Sequence, residues 1–136
     1  MPAIADITIN NGESTPVAKT FEPIGIDANQ VATYAETSTG VPLGFPEISL
    51  SSRKSGNGTI RVKVNIALPV LESATGVNAS GYEPAPAVAY YNRANTEFII
   101  SPRSSTEDRA DLLAFCQNLA DHAVIEALVL DLKNVY

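Results

Sequence analysis

Apolar and polar residues alternate one by one along residues 48–68, ISLSSRKSGNGTIRVKVNIAL. Ile60, Val62, Val64 and Ile66 take one parity; Thr59, Arg61, Lys63 and Asn65 take the other. Successive strand side chains point to opposite faces, so this run has an aliphatic face and a basic, polar one. The preceding run does the same, with Ile48 and Leu50 against Ser49, Ser51 and Arg53. Opposed residues of an antiparallel pair share a face. Keeping the two apolar rows together therefore requires a loop with an odd number of residues. Ser55-Gly56-Asn57-Gly58 supplies one if Gly58 takes the left-handed position that closes such a hairpin. Arg53, Arg61 and Lys63 then stand side by side with Ser51. Like charges held opposite each other cost up to about 1 kcal/mol, so that face calls for an anion.

The same reading places the remaining strands. Ile7 and Ile9 alternate with polar neighbours before Asn11-Gly12, a strong tight-turn signal. Residues 15–21 return as a second strand, confined by Pro16 and Pro23. Residues 30–37 form a third, and a Gly/Pro connector leads into the organising pair. Residues 70–86, rich in Gly, Ala, Ser and Pro, read as a long loop. Residues 87–101 form the last strand. The period then becomes helical. Ser104 to Glu107 matches the S-x-x-E capping box, with Glu107 and Asp108 at the positive end of the helix dipole. Leu112, Phe115, Cys116 and Leu119 follow as one apolar stripe, in which Cys116 reads as a small buried hydrophobe. A break at Asp121-His122 precedes a second helix over residues 123–133. Val124, Ile125, Leu128, Val129, Leu130 and Leu132 make it too apolar for a solvent-facing helix. Burying each large aliphatic is worth about 1.5–3 kcal/mol, so the helix is expected to pack on a second subunit. Strands followed by helices, with no β-α-β alternation, predict an α+β fold: an N-terminal β-hairpin, an antiparallel sheet and two C-terminal helices.

Composition sharpens this picture. The chain has 136 residues, 45% of them hydrophobic, which suits one domain (1–136) with its own core. A single cysteine rules out a disulfide framework. The N-terminus lacks the basic-plus-apolar pattern of a secretory signal, and no apolar run approaches the roughly 20 residues of a membrane helix. The net charge of −6 conceals a separation. Residues 48–71 hold four basic side chains and no acid, whereas residues 107–131 hold six acids and one base, Arg109. One face is thus offered to an anion and another to water. No phosphate loop, metal-ligand spacing or nucleophile–base pair stands out. His122, the only histidine, lies at a helix junction and reads as structural. No enzyme, cofactor, metal or small-molecule substrate is expected.

These features together resemble the coat proteins of single-stranded RNA bacteriophages, the leviviruses. The resemblance rests on the hairpin at Asn11-Gly12, the run Thr59 to Val64, the long loop before the last strand, the Ser105-Thr106-Glu107-Asp108-Arg109-Ala110 helix start and the Leu132 to Tyr136 ending. It implies an interlocked homodimer, with the helices of each subunit over its partner's sheet and Leu112, Phe115, Leu119, Ile125, Leu128, Val129 and Leu132 at the dimer interface. It implies assembly into a T=3 icosahedral shell in the bacterial host cytoplasm, with the hairpin (1–23) outermost, the sheet (30–101) facing genomic RNA and the helices spanning 104–133. A dimer of such proteins also binds an RNA hairpin and represses replicase translation. By the same resemblance, Ser49, Ser51, Arg53, Thr59, Arg61 and Lys63 match RNA-contacting positions, and Tyr91, Arg93, Asn95 and Glu97 lie where the family stacks or hydrogen-bonds bases. The sequence departs from the family's Tyr-x-Asn-x-Glu row at Arg93, which moves stacking to Tyr91 or to Arg93 itself. The alternatives are a cellular dimeric β-sheet module for RNA or single strands, which would carry aromatic platforms on the central strands, and a small dimeric enzyme, for which His122 is badly placed.

Overall fold

The computed structural model describes residues 3–72, 81 and 85–135. These residues fall into two compact units, 1–99 and 100–136. The first is a six-stranded antiparallel meander with its strands in chain order: β1 (Ile7–Asn10), β2 (Ala18–Ile26), β3 (Ala32–Ala35), β4 (Glu47–Lys54), β5 (Ile60–Leu71) and β6 (Val88–Ile100). Its core lies on the face predicted to be apolar. Tyr34 of β3 pairs with Ile48 of β4, which pairs with Ile66 of β5. Phe21, Tyr34 and Ile48 are buried, with Ile7, Ala32, Leu50 and Ile66 packed against them.

The β4–β5 register is the one that parity demands. Arg53 stands opposite Arg61, Ser51 opposite Lys63 and Ser49 opposite Asn65. Gly58 has φ 86°, and its N–H donates to the Ser55 carbonyl at 3.0 Å, while the Ser55 N–H donates to the Thr59 carbonyl at 2.8 Å. That leaves three residues in the tip of the turn, an odd number as required. The left-handed conformation costs a side-chain-bearing residue about 1–2 kcal/mol, which is why glycine stands there.

Several elements differ from the sequence reading. Asn11-Gly12 does not form a two-residue turn. The Asn11 side-chain oxygen instead accepts the Val17 N–H at 2.9 Å and closes a wider loop across Pro16. Pro23 does not end β2, which runs on to Ile26 through a register shift between Pro23 and Gly25. The lower half of β2 pairs with β1 and the upper half with β3, so Pro23 stands on a stretch where β1 has already ended. The third strand is shorter than predicted, because Gln30 takes a left-handed turn (φ 61°) between Asp27 and Val31. The connector holds a short 3-10 turn, Pro42–Gly44. Gly44 passes so close to Leu71 that a Cβ would lie 2.9 Å from Leu71 Cδ1. Val70 and Leu71, expected in the loop, continue β5. The rest of that loop lies mostly outside the described residues.

The second unit is a helical pair, α1 (Thr106–Ala120) and α2 (Ala123–Leu130), bent by 55° at the predicted break. The capping box is one residue later than expected: the Asp108 N–H donates to Ser105 Oγ at 3.1 Å and the Ser105 N–H donates to Asp108 Oδ2 at 2.9 Å. The Ser105 backbone N–H most, and the Ser105 side chain next, favour the ionised Asp108 carboxylate and lower its pKa. His122 caps α2, its Nδ1 accepting the Val124 N–H at 3.2 Å. That is the structural role assigned to it. The second helix ends at Leu130, short of Lys133, where Leu132 turns to φ 54°. Neither helix has a buried residue. Cys116 is exposed, contrary to the sequence reading, because α1 buries none of its residues. Among the described residues no single helix is long and apolar enough to cross a membrane.

Candidate nucleic-acid interface

The face of the sheet opposite the core collects the odd-numbered residues of β4 and β5. Three adjoining depressions run along it. The first, of about 420 Å³, is lined by Val31, Ser49, Ser51, Arg53, Arg61, Lys63 and Asn65. The second, about 280 Å³, shares Ser49 and Asn65 and adds Glu47, Ala67, Arg93 and Asn95. The third, about 180 Å³, shares Glu47 and Ala67 and ends on Tyr91, Phe45 and Leu43. At about 3.3 Å per strand residue, the track from Arg53 to Glu47 is roughly 20 Å long. Its character changes along that length from basic, through polar, to aromatic and apolar.

The cations on this track are not equivalent. Arg61 donates to Glu97 Oε1 of β6 at 3.2 Å, an ion pair whose side chains remain 53% and 37% exposed. Arg53 donates through Nη2 to the Asn29 carbonyl at 3.1 Å, which steers its guanidinium without neutralising it. Lys63 and Arg93 are in no ion pair among the described residues. Arg93 lies with its guanidinium carbon 4.7 Å from the centre of the Tyr91 ring, within the roughly 6 Å reach of a cation–π contact. Both residues that the sequence left as rival stacking groups are therefore joined in one stack.

Of the ten residues expected at the site, Ser49, Ser51, Arg53, Arg61, Lys63, Tyr91, Arg93 and Asn95 line the three depressions. Glu97 reaches the face through Arg61. Thr59 belongs to the turn rather than to β5; its N–H donates to Asn57 Oδ1 and its carbonyl accepts the Ser55 hydroxyl. Sequence reasoning passed over Glu47, Asn65 and Val31 as site residues. Glu47 and Asn65 were accessible by parity alone, since both are odd-numbered on the paired strands. Val31 precedes β3 and has no periodic signal. Among the described residues no group of three His, Cys, Asp or Glu side chains is placed to hold a metal.

The residues expected at a subunit interface lie on the second unit. Phe115 is 71% exposed, Val129 67% and Leu132 85%, with Leu112 and Leu119 also exposed and Ile125 and Leu128 half-buried.

An antiparallel meander with a cationic face, followed in the chain by a helical pair with exposed apolar residues, fits the layout of a viral coat subunit. A model of the levivirus coat protein family matches residues 2–136. The chain is 29% identical over 135 residues to the capsid protein of Pseudomonas phage PRR1, across 98% of both chains. It is similar to the subunit of the virus-like particle of bacteriophage ESE058, with a TM-score of 0.92 and 31% identity over 99% of this chain and 100% of that one. The capsid protein of bacteriophage GA, 20% identical, shares the fold at a TM-score of 0.70, over 92% of each chain. The chain belongs to the levivirus coat protein family. This is a family of structural proteins, and membership decides for the coat protein over the cellular binding module.

Proposed function

We propose that this coat protein forms an interlocked homodimer through α1 and α2, that the dimers close into a T=3 icosahedral shell, and that the β4–β5–β6 face lies inward against single-stranded genomic RNA. The observation that carries the reading is the β4–β5 register, which sets Arg53 opposite Arg61 and Ser51 opposite Lys63 on the face without a core. Glu97 answers Arg61 alone among the described residues, so the charges of Arg53 and Lys63 on this paired row stay costly until phosphates neutralise them. In this arrangement the exposed apolar residues of the helices meet the partner's sheet, the N-terminal hairpin points outward and the acidic helices stay away from the RNA. Within such a dimer, two copies of the face form the surface that grips one RNA hairpin and represses replicase translation.

The test is expression of the full chain in bacteria, followed by gel filtration, electron microscopy and the 260/280 nm absorbance ratio of the same peak. Uniform shells that absorb like nucleic acid are expected. Shells without RNA would disprove the role of the basic face, and RNA-free dimers that never close would disprove the assembly.

A further inference from the structure

Besides Glu97, which answers Arg61, the face carries a second carboxylate, Glu47. Glu47 lies where the second and third depressions meet, between the polar stretch and the Tyr91 end. It is exposed, it is in no ion pair among the described residues, and the residue opposite it on β5 is Ala67, whose small side chain leaves the floor open. An acid on an RNA-facing surface repels phosphate. Its use must lie with a group that donates hydrogen bonds.

We infer that Glu47, together with the Arg93–Tyr91 stack, forms a pocket that selects an unpaired guanine. This deepens the RNA-binding reading of the face and rests on it. A carboxylate accepts only, and its two oxygens favour a partner with two adjacent N–H donors. On the Watson–Crick edge guanine offers that pair, N1–H and the 2-amino group. Adenine and cytosine set a ring-nitrogen acceptor beside their amino group, and uracil flanks its single N–H with carbonyl oxygens. A second carboxylate oxygen facing such an acceptor is repelled, which adds rejection to selection.

The remaining walls suit a base. The Arg93 guanidinium carbon sits over the Tyr91 ring, 4.7 Å from its centre, and a guanidinium plane held there can serve as a platform for an unpaired RNA base. Tyr91 is thereby a positioning residue, limiting the directions available to Arg93. Ser49, Asn65 and Asn95 line the same 280 Å³ depression, and each carries both a donor and an acceptor for the other edges of the base. The adjoining depression, with Arg53, Arg61 and Lys63, lies next along the strands, where the phosphate of a neighbouring nucleotide would fall.

The probes are fluorescein-labelled heptauridylates whose central base is guanine, inosine, adenine or uracil, titrated by anisotropy against the full chain at a concentration below shell assembly. The guanine heptamer is expected to bind about tenfold or more tightly than the adenine and uracil heptamers, as one bidentate base contact permits. Inosine, which lacks the 2-amino group, falls between. Glu47→Ala and Glu47→Gln bring the guanine-to-adenine ratio down toward one without weakening the adenine heptamer. Arg93→Lys keeps the charge and the salt dependence but weakens the guanine heptamer, because an ammonium has no plane to stack. A wild-type chain without guanine preference, or a preference intact in Glu47→Ala, overturns the inference while salt-dependent binding of all heptamers leaves the RNA face standing. Failure to bind any heptamer at low salt overturns the face and the pocket together.

Discussion

Replacing Lys63 and replacing Arg61 should not have the same effect, although the two residues sit two positions apart on the same strand face. Each lysine or arginine that neutralises a phosphate contributes about 0.7 to the log–log salt slope on single strands and about 0.9 on a duplex. Over a fourfold rise in salt, one lost contact therefore changes the ratio of affinities by about 2.6- to 3.5-fold. Lys63 is in no ion pair among the described residues, so Lys63→Ala should lose the whole of that contribution. Arg61 already has Glu97 at 3.2 Å. To meet a phosphate it must leave or share that carboxylate, an exposed pair worth about 0.2–1 kcal/mol. Arg61→Ala should accordingly reduce affinity less than Lys63→Ala. Removing the competitor has the opposite effect on affinity: Glu97→Gln should tighten RNA binding by about 1.4- to 5-fold, the same pair energy expressed as a ratio. In the Glu97→Gln background, Arg61→Ala should cost as much as Lys63→Ala. The assay is filter binding or anisotropy with one RNA hairpin at four salt concentrations. An unchanged slope for Lys63→Ala removes it from the interface, and equal losses for both residues with Glu97 present refute the competition.

Other substitutions test the fold and its assembly. Gly58→Ala should destabilise the subunit by about 1–2 kcal/mol, read as a shift in denaturation midpoint, because φ 86° is strained for any residue with a Cβ. Ser105→Ala should cost about 1 kcal/mol by removing the hydroxyl that takes the Asp108 N–H, whereas Ser104→Ala should cost less, since its hydroxyl donates to the Ser101 carbonyl and caps nothing. Leu128→Asp should abolish folded dimer, seen as aggregation or loss of soluble protein, since the proposed interlocking would make folding and association one event; a well-folded monomer would contradict the interlocked arrangement. Acid should destabilise the protein through Glu36 and Asp108. Glu36 is buried (6% exposed), and Ser38 lowers its pKa, first through its side chain and then through its backbone N–H, which donates at 2.9 Å. A carboxyl with a lowered folded-state pKa contributes stability above its unfolded value of about 4 and loses it as pH falls through the folded value. Denaturation midpoints should thus fall below about pH 4, and less steeply in Glu36→Gln.

The strands were legible wherever one face was buried, because a period of two leaves the register no freedom. Parity alone required an odd loop between β4 and β5, and the three-residue tip at Gly58 is the form it took. Legibility failed where local hydrogen bonds compete with the pattern. Asn11-Gly12 looked like a tight turn, but the Asn11 side chain found the Val17 N–H six residues on, and Pro16 widened the loop. The capping box moved from Ser104 to Ser105 because Asp108 serves at its third position as well as Glu107 would, and Ser104 is occupied with Ser101. Neither choice changes hydrophobic periodicity, so no periodic signal could have distinguished them.

The face shows a deeper limit of the same kind. A sequence displays which residues share a parity, and that was enough to gather Ser49, Ser51, Arg53, Arg61 and Lys63. It does not display which charges answer one another across strands far apart in the chain. Arg61 and Glu97 are 36 residues apart, and only the neighbouring of β5 and β6 brings them to 3.2 Å. The pairing alters the chemistry: of four cations on the track, one is already answered from within the sheet. Lys63 has the lowest cost for giving itself to a phosphate, and Arg93, braced by Tyr91, is better placed for a base than for a charge. On the proposed RNA-facing reading, the departure from the family's tyrosine row is compensated in place. Arg93 and Tyr91 would supply as a pair what a single aromatic ring supplies in the family, and the guanidinium would add a positive charge toward an anionic ligand.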